Sequence, residues 1–167
     1  MKIGVFPIMD HFYEPMFNPN HLIHPLSEDR LLPGIDLNVA EQLDQLSKFH
    51  YNDELSSFPL EKRSETEFYY HNGKFGPGDA EYYYNIVRFY KPGTIIEVGA
   101  GNSTLMAINA IRANTQDNPE YSCRQICIEP YERPWLDRLK VPIIRERVEK
   151  VDKTIFSELG QKGEFRP

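Results

Sequence analysis

One stretch of the chain, from Thr94 to Asn109, constrains its fold more than any other. It opens with the β-branched run Thr94–Val98, which is typical of a buried strand in a parallel sheet. Gly99–Gly101 follows directly, and then Asn102 or Ser103 can cap a helix. A strand, a glycine turn and a helix start predict an α/β fold in which backbone N–H groups at the turn face a ligand. Glycine suits such a turn because a Cβ would obstruct both a left-handed backbone and the ligand's approach.

Two carboxylates indicate which ligand this turn would bind. Glu97 lies at the carboxyl end of the first predicted strand, where it would repel a phosphate but suit an ammonium group or hydroxyls. Glu129 follows the apolar run Gln125–Ile128, which predicts the next parallel strand. An acidic residue at that position can accept hydrogen bonds from both hydroxyls of a ribose. A ligand that joins adenosine to an amino-acid tail fits both carboxylates. S-adenosylmethionine is such a ligand.

The same residues carry a resemblance to a known family. The segments EVGAGNST from Glu97 and CIEPY from Cys127 resemble the cofactor-binding half of class I S-adenosylmethionine-dependent methyltransferases. Two upstream segments, LPGIDLN from Leu32 and YYHNGKFGPGDAE from Tyr69, resemble a bacterial subgroup of these enzymes. The resemblance extends from about Phe12 to the C-terminus.

The resemblance implies a fold and a set of site residues. The expected fold is a Rossmann-like doubly wound sheet of about seven strands, truncated in this chain after about the third. Residues 1–66 would form an N-terminal arm and helix, and residues 67–167 the first half of the S-adenosylmethionine-binding domain. The cofactor-binding residues would be Glu97, Gly99, Ala100, Gly101, Asn102, Ser103, Glu129 and Pro130. Residues of a lid over the methionine end of the cofactor would be Tyr70, Asn72, Phe75 and Gly76.

The expected activity is methyl transfer to an unknown acceptor. No catalytic residue is assigned, because in this fold the general base usually comes from beyond the fourth strand. If the sheet ends after its third strand, Thr94–Val98 lies at an edge and has no lysine or proline to prevent further pairing. We therefore expect self-association, or completion of the sheet by another chain. A non-catalytic fragment or assembly module is the alternative.

Two other functions fit the glycine turn less well. A nicotinamide or flavin dinucleotide site of the G-x-G-x-x-G type requires glycine where Thr104 stands, and Glu97 would repel a pyrophosphate. A serine hydrolase built on Ser103 would require a G-x-S-x-G elbow and a later histidine, and the sequence contains neither.

Composition excludes several further classes of function. The 167 residues carry a net charge of −6 with a pI near 5.4. The composition therefore gives no excess of positive charge that would attract nucleic acid or an anionic membrane. His21 and His24 lack a carboxylate or cysteine at ligand spacing, and no metal site is predicted. Cys127 falls in a predicted strand, where cysteine acts as a small apolar residue. No apolar run reaches the roughly 18 residues of a membrane span, and we predict a cytoplasmic protein.

Hydrophobic periodicity predicts the remaining elements. A helix starting at Asp36 or Asn38 should bury Val39, Leu43 and Leu46, followed by a polar loop over residues 50–66. The remaining predictions are a strand over Lys2–Phe6, a helix capped by Asp79 with Tyr83, Ile86, Val87 and Tyr90 facing inward, a helix over Ser103–Ala113, a loop over Asn114–Arg124, a strand over Val141–Arg145 and a final helix around Phe156.

Overall fold

The chain divides into two compact units, Met1–Val39 and Ala40–Pro167. The computed structural model describes residues 23–25, 27–28 and 33–159. His21 and the predicted strand Lys2–Phe6 lie outside these residues. The predicted domain boundary between residues 66 and 67 falls within the second unit.

The described part of the first unit consists of local turns. The N–H of Glu28 donates to the carbonyl oxygen of Pro25 at 3.1 Å, and the exposed side chains of His24 and Glu28 lie 3.1 Å apart. The carboxylate of Asp36 accepts a hydrogen bond from the N–H of Asn38 at 2.9 Å. These contacts are made between neighbours in the sequence, and they end where the first helix begins at Val39.

The second unit contains a parallel three-stranded sheet, which confirms the predicted α/β character. Strands β1 (Thr94–Val98), β2 (Arg124–Ile128) and β3 (Ile143–Ile144) lie in the order β1-β2-β3. β1 has the predicted bounds, and Glu97 in it pairs with Cys127 of β2. β3 is shorter than the predicted Val141–Arg145, and the proline before it has no N–H to donate to the ladder.

Two long helices pack against each other beside this sheet. They are α3 (Asp79–Tyr90) and α4 (Asn102–Asp117). α4 continues beyond the predicted end at Ala113, so the predicted loop from Asn114 is wrong over its first four residues. Asn114, in this last turn, is completely buried, and its side chain donates to the carbonyl of Val87 at 2.9 Å. In the described part of the chain, no helix is both long and apolar enough to span a membrane.

The buried face of α3 is rotated from the predicted one. Its buried side chains include Ala80, Tyr84, Val87 and Arg88, whereas the predicted Tyr83, Ile86 and Tyr90 are only half-buried. The N-cap residue is Gly78 rather than Asp79, and its N–H donates to the Glu81 carboxylate at 3.2 Å. The buried set includes Arg88, whose burial no hydrophobic pattern predicts.

The segment before α3 also differs from the prediction. Within the predicted loop 50–66, residues Asn52–Leu55 form the short helix α2, and Leu55 is buried. The main core cluster contains Leu55, Phe68, Tyr70, Ala80, Tyr84, Val87, Leu105, Met106 and Ala110.

Helix α1 (Val39–Ser47) exists as predicted, but its apolar stripe is not in the described core. Val39, Leu43 and Leu46 are 56%, 61% and 47% exposed. A polar contact joins α1 to α3 instead, since the Gln45 amide donates to the Tyr90 hydroxyl at 2.8 Å. Periodicity correctly grouped the apolar residues on one face but did not determine what that face meets.

Arg88 forms the main polar connection of this unit. Its side chain is 3% exposed, and it donates from Nε and Nη2 to the Glu54 carboxylate at 2.8 and 2.7 Å. Nη2 also contacts Asp117 at 2.8 Å, Nη1 donates to the Asn114 side chain, and the guanidinium lies 4.5 Å from the centre of the Tyr51 ring. Burial opposes ionisation of Glu54, but hydrogen bonds from Arg88 and Tyr84 outweigh it and hold the pKa below its ordinary value. One guanidinium therefore ties α2, α3 and α4 together.

We expect Arg88→Met to lower the free energy of unfolding by roughly 3 kcal/mol, because it removes the donor of the buried Asn114 oxygen and the charged partner of the partly buried Glu54. Urea denaturation at neutral pH measures this loss. Asp117→Asn changes only the exposed partner of Arg88 and should lower the free energy of unfolding much less. Equal stability of Arg88→Met and the wild-type protein would contradict a structural role for the network.

Candidate functional site

The glycine turn joins the carboxyl end of β1 to α4. Gly99 has φ +84°, a left-handed conformation that favours glycine. Gly101 has φ −175°, which is extended backbone open to any residue, and an added Cβ would meet nothing within 4 Å. The expectation that both glycines serve the backbone geometry is therefore wrong for Gly101. Its missing side chain instead leaves open space before the helix.

The start of α4 carries no conventional cap. Gly101 occupies the N-cap position, so the prediction that Asn102 or Ser103 caps the helix is wrong. The N–H of Gly101 donates to the hydroxyl of Thr104 at 2.9 Å. Because the cap residue offers no side-chain acceptor, the N–H groups of the first turn are available to an anionic ligand.

Glu97 faces the first turn of α4. Its two carboxylate oxygens accept hydrogen bonds from the hydroxyls of Ser103 and Thr104, the latter at 2.6 Å, and the Cys127 thiol lies 3.6 Å away. Burial raises the pKa of Glu97, and these hydrogen bonds, with one from Gln125, only partly oppose the rise. A carboxylate held in a site that disfavours its charge is a candidate for ligand binding.

An open groove of about 500 Å³ lies beside β1 and the start of α3. Its lining combines three aromatic rings, two carboxylates and the apolar side chains of β1. The lining residues are Phe75, Gly78, Asp79, Tyr82, Tyr83, Ile96, Glu97, Val98 and Ser103. None of these described lining residues is a lysine or an arginine. The groove therefore favours a ligand that carries positive charge.

Glu129 links the end of β2 to the glycine turn. One of its carboxylate oxygens accepts from the N–H of Ala100 at 3.1 Å, and the other accepts from the N–H of Tyr131 at 2.9 Å. Arg133 Nε lies 3.9 Å from the same carboxylate, which is buried, and Pro130 beside it is half-buried. The structure thus brings the predicted residues of the two strand ends into contact. A carboxylate has about four acceptor positions, so backbone N–H groups use about half of them.

The four predicted lid residues lie in different surroundings. Tyr70 is buried in the core, where its hydroxyl donates to the carbonyl of Leu55 at 3.1 Å. Asn72 stabilises its own turn by donating to the carbonyls of Tyr69 and Phe75. A Cβ added at Gly76 would lie 3.4 Å from the carbonyl oxygen of Tyr70. Of the four, only Phe75 reaches the groove, where its ring lies 6.0 Å from that of Tyr83.

Several residues of the site were missed from the sequence. Thr104 was considered only as a departure from a glycine fingerprint, although its hydroxyl contacts both Glu97 and Gly101. Asp79, Tyr82 and Tyr83 share one side of α3, and their spacing of three and four residues could have indicated this. Among the described residues, no group of His, Cys, Asp and Glu is arranged to hold a metal ion, and both cysteines are free.

The raised pKa of Glu97 predicts how stability depends on pH. In the folded state the charged carboxylate is penalised, so stability should fall as pH rises from the ordinary range of a glutamate through the raised pKa. Glu97→Gln cannot ionise and should lack this loss, so its stability relative to the wild-type protein should increase over the same interval. Urea unfolding at a series of pH values measures the difference. A difference that stays constant with pH would contradict the environment described for Glu97.

The chain is similar in sequence to an archaeal protein. The chain is 30% identical over 170 residues to an uncharacterized protein of Archaeoglobus fulgidus, and the match covers 94% of this chain and 75% of that protein. No protein-family model and no solved structure matches the chain. The chain belongs to the same family as this archaeal protein.

Proposed function

We propose that the chain is the cofactor-binding part of an S-adenosylmethionine-dependent methyltransferase with a Rossmann-like doubly wound architecture. One observation carries the proposal. Glu129, at the end of β2, hydrogen-bonds to Ala100 in the turn after β1. The glycine turn, the uncapped helix start and two carboxylates therefore meet at the carboxyl end of a parallel sheet, where nucleoside cofactors bind in open α/β folds.

The two ends of the amino-acid tail would meet opposite charges in this site. The N–H groups at the start of α4 suit the carboxylate of the tail, and the absence of a side chain at Gly101 lets it approach. Glu97 suits the ammonium group. The groove also contains aromatic rings, including Tyr82 and Tyr83, which suit the sulfonium charge.

Glu129 would accept the ribose hydroxyls with the acceptor positions that its backbone contacts leave unused. The residue is 4% exposed, whereas Tyr131, which donates to it, is 41% exposed. Because the carboxylate is buried, a ribose could reach those positions only after residues around Glu129 move. Glu129 would then contact both the glycine turn, through Ala100, and the cofactor.

The bound cofactor would supply an electrophilic methyl group. The protein's part in such a transfer is to hold donor and acceptor in line and to exclude water. The described residues provide the donor side of this arrangement, and we assign no catalytic base and no acceptor. Thr104 counts against a dinucleotide, because its buried side chain occupies the position where that fingerprint requires glycine.

A pair of glycine substitutions at opposite ends of β1 tests the site. Gly101→Val should abolish binding of S-adenosylhomocysteine with little change in stability, because the new side chain enters open space before α4. Gly93→Val is the matched control, since an added Cβ there also meets nothing within 4 Å but lies at the amino end of the strand. Isothermal titration calorimetry measures both. Equal affinity in the two variants would contradict the assignment, and tight binding of NADH by the wild-type protein would favour a dinucleotide.

Glu129→Ala tests the proposed ribose contact separately. We expect the affinity for S-adenosylhomocysteine to fall at least about tenfold, because up to two charge-assisted hydrogen bonds of roughly 1.5–3 kcal/mol each are lost before compensation. Circular dichroism and the unfolding midpoint establish whether the variant is folded, since the substitution also releases the N–H of Ala100. Unchanged affinity in a folded variant would rule out the ribose contact.

A further inference from the structure

The two oxygens of the Glu97 carboxylate lie in unequal surroundings. Oε1 accepts a hydrogen bond from the hydroxyl of Ser103, a half-buried residue that lines the groove. Oε2 accepts a hydrogen bond from the hydroxyl of Thr104 at 2.6 Å and lies 3.6 Å from the thiol of Cys127. Thr104 and Cys127 are both fully buried, and neither lines the groove. The contacts therefore place Oε1 on the side of the groove and Oε2 on the side of the core.

The hydroxyl of Thr104 is held in one orientation. Its oxygen accepts a hydrogen bond from the N–H of Gly101 at 2.9 Å, and its single proton is donated to Glu97. Turning this proton elsewhere would take the hydroxyl donor away from the buried side of the carboxylate, which is costly. Thr104 therefore links the end of β1 to the start of α4 in a fixed geometry.

The hydroxyl of Ser103 has more freedom. Within the described part of the chain, its hydrogen bond to Glu97 is the only one that this hydroxyl makes. A serine hydroxyl can rotate, and from the groove it can donate to water instead. An ammonium group that took its place on Oε1 would be a charged donor, and hydrogen bonds with charged groups are about twice as strong as neutral ones.

We infer that Thr104 is a positioning residue that holds Glu97 in place, while the ammonium group of the ligand displaces the hydroxyl of Ser103 from Oε1. The inference rests on the proposed function, because it requires a ligand with an amino-acid tail. It assigns opposite effects to two neighbouring hydroxyls that donate to the same carboxylate. Both effects concern the tail alone, since the proposed site binds the nucleoside at Glu129.

Two ligands separate the tail from the nucleoside. S-adenosylhomocysteine carries the ammonium group, whereas 5′-methylthioadenosine has the same nucleoside and a thioether but no amino-acid tail. Thr104→Val has a similar shape and no hydroxyl. It should weaken binding of S-adenosylhomocysteine about tenfold and that of 5′-methylthioadenosine less than about twofold. Thr104→Ser keeps the hydroxyl and should restore the affinity, as measured by isothermal titration calorimetry.

Ser103→Ala should have the opposite effect. It removes the hydroxyl that the ligand has to displace, so the affinity for S-adenosylhomocysteine should rise about threefold. Thr115→Val is the matched control for Thr104→Val. Thr115 is an exposed residue of the same helix, and its hydroxyl donates to the carbonyl of Ile111 at 3.0 Å. This variant should bind both ligands as the wild-type protein does.

A double-mutant cycle tests whether Thr104 acts through Glu97. In a Glu97→Gln background, Thr104→Val should no longer change the ratio of the affinities for the two ligands. A ratio that still changes in this background would mean that Thr104 acts on the ligand by another route. Circular dichroism and the unfolding midpoint establish whether each variant is folded.

Two further results would overturn the inference and leave the proposed function standing. One is an equal loss of affinity for both ligands in Thr104→Val, which would indicate a general structural role. The other is weaker binding of S-adenosylhomocysteine by Ser103→Ala, a result that stands even if Thr104→Val does not fold. If the wild-type protein binds neither ligand, the proposed function fails and this inference fails with it.

Discussion

Helix α4 is held by polar contacts at both of its ends, and the geometry of the candidate site depends on them. Near its C-terminus, Asn114 and Asp117 bind the buried guanidinium of Arg88, which also binds Glu54 of α2. At its N-terminus, Ser103 and Thr104 donate to Glu97 of β1. A buried charge is tolerated only where it is paired and hydrogen-bonded. These contacts therefore restrict where α4 can lie relative to its partners. They orient α4 so that its uncapped first turn faces the space beside the glycine turn.

The two carboxylates of the site have similar chemistry but different surroundings. Glu97 is bound by side-chain hydroxyls and a thiol, and burial raises its pKa. Glu129 is bound mainly by backbone N–H groups, from Ala100 in the glycine turn and from Tyr131 after β2. Hydroxyls can rotate to a new partner, whereas a backbone N–H moves only with its chain. A ligand at Glu97 would therefore compete with rotatable side chains, whereas a ligand at Glu129 would compete with backbone N–H groups.

The groove extends from the glycine turn along β1. Glu97 and Ser103 belong to both the turn region and the groove, and Ile96 and Val98 of β1 also line the groove. A ligand bound at the turn would therefore also meet the carboxylates and aromatic rings of the groove.

Local sequence alone determined the parts of this protein that depend on neighbours in the chain. The bounds of β1, the left-handed Gly99 and the position of Glu129 after β2 all followed from short patterns of β-branched residues, glycines and charges. Only the tertiary structure decided the exposure of Leu43 on α1, the rotation of α3 and the groove. Arg88 shows the physical reason, because its partners Glu54 and Asn114 lie 34 and 26 residues away. Periodicity groups residues on a face, but what lies opposite that face depends on packing between segments distant in sequence.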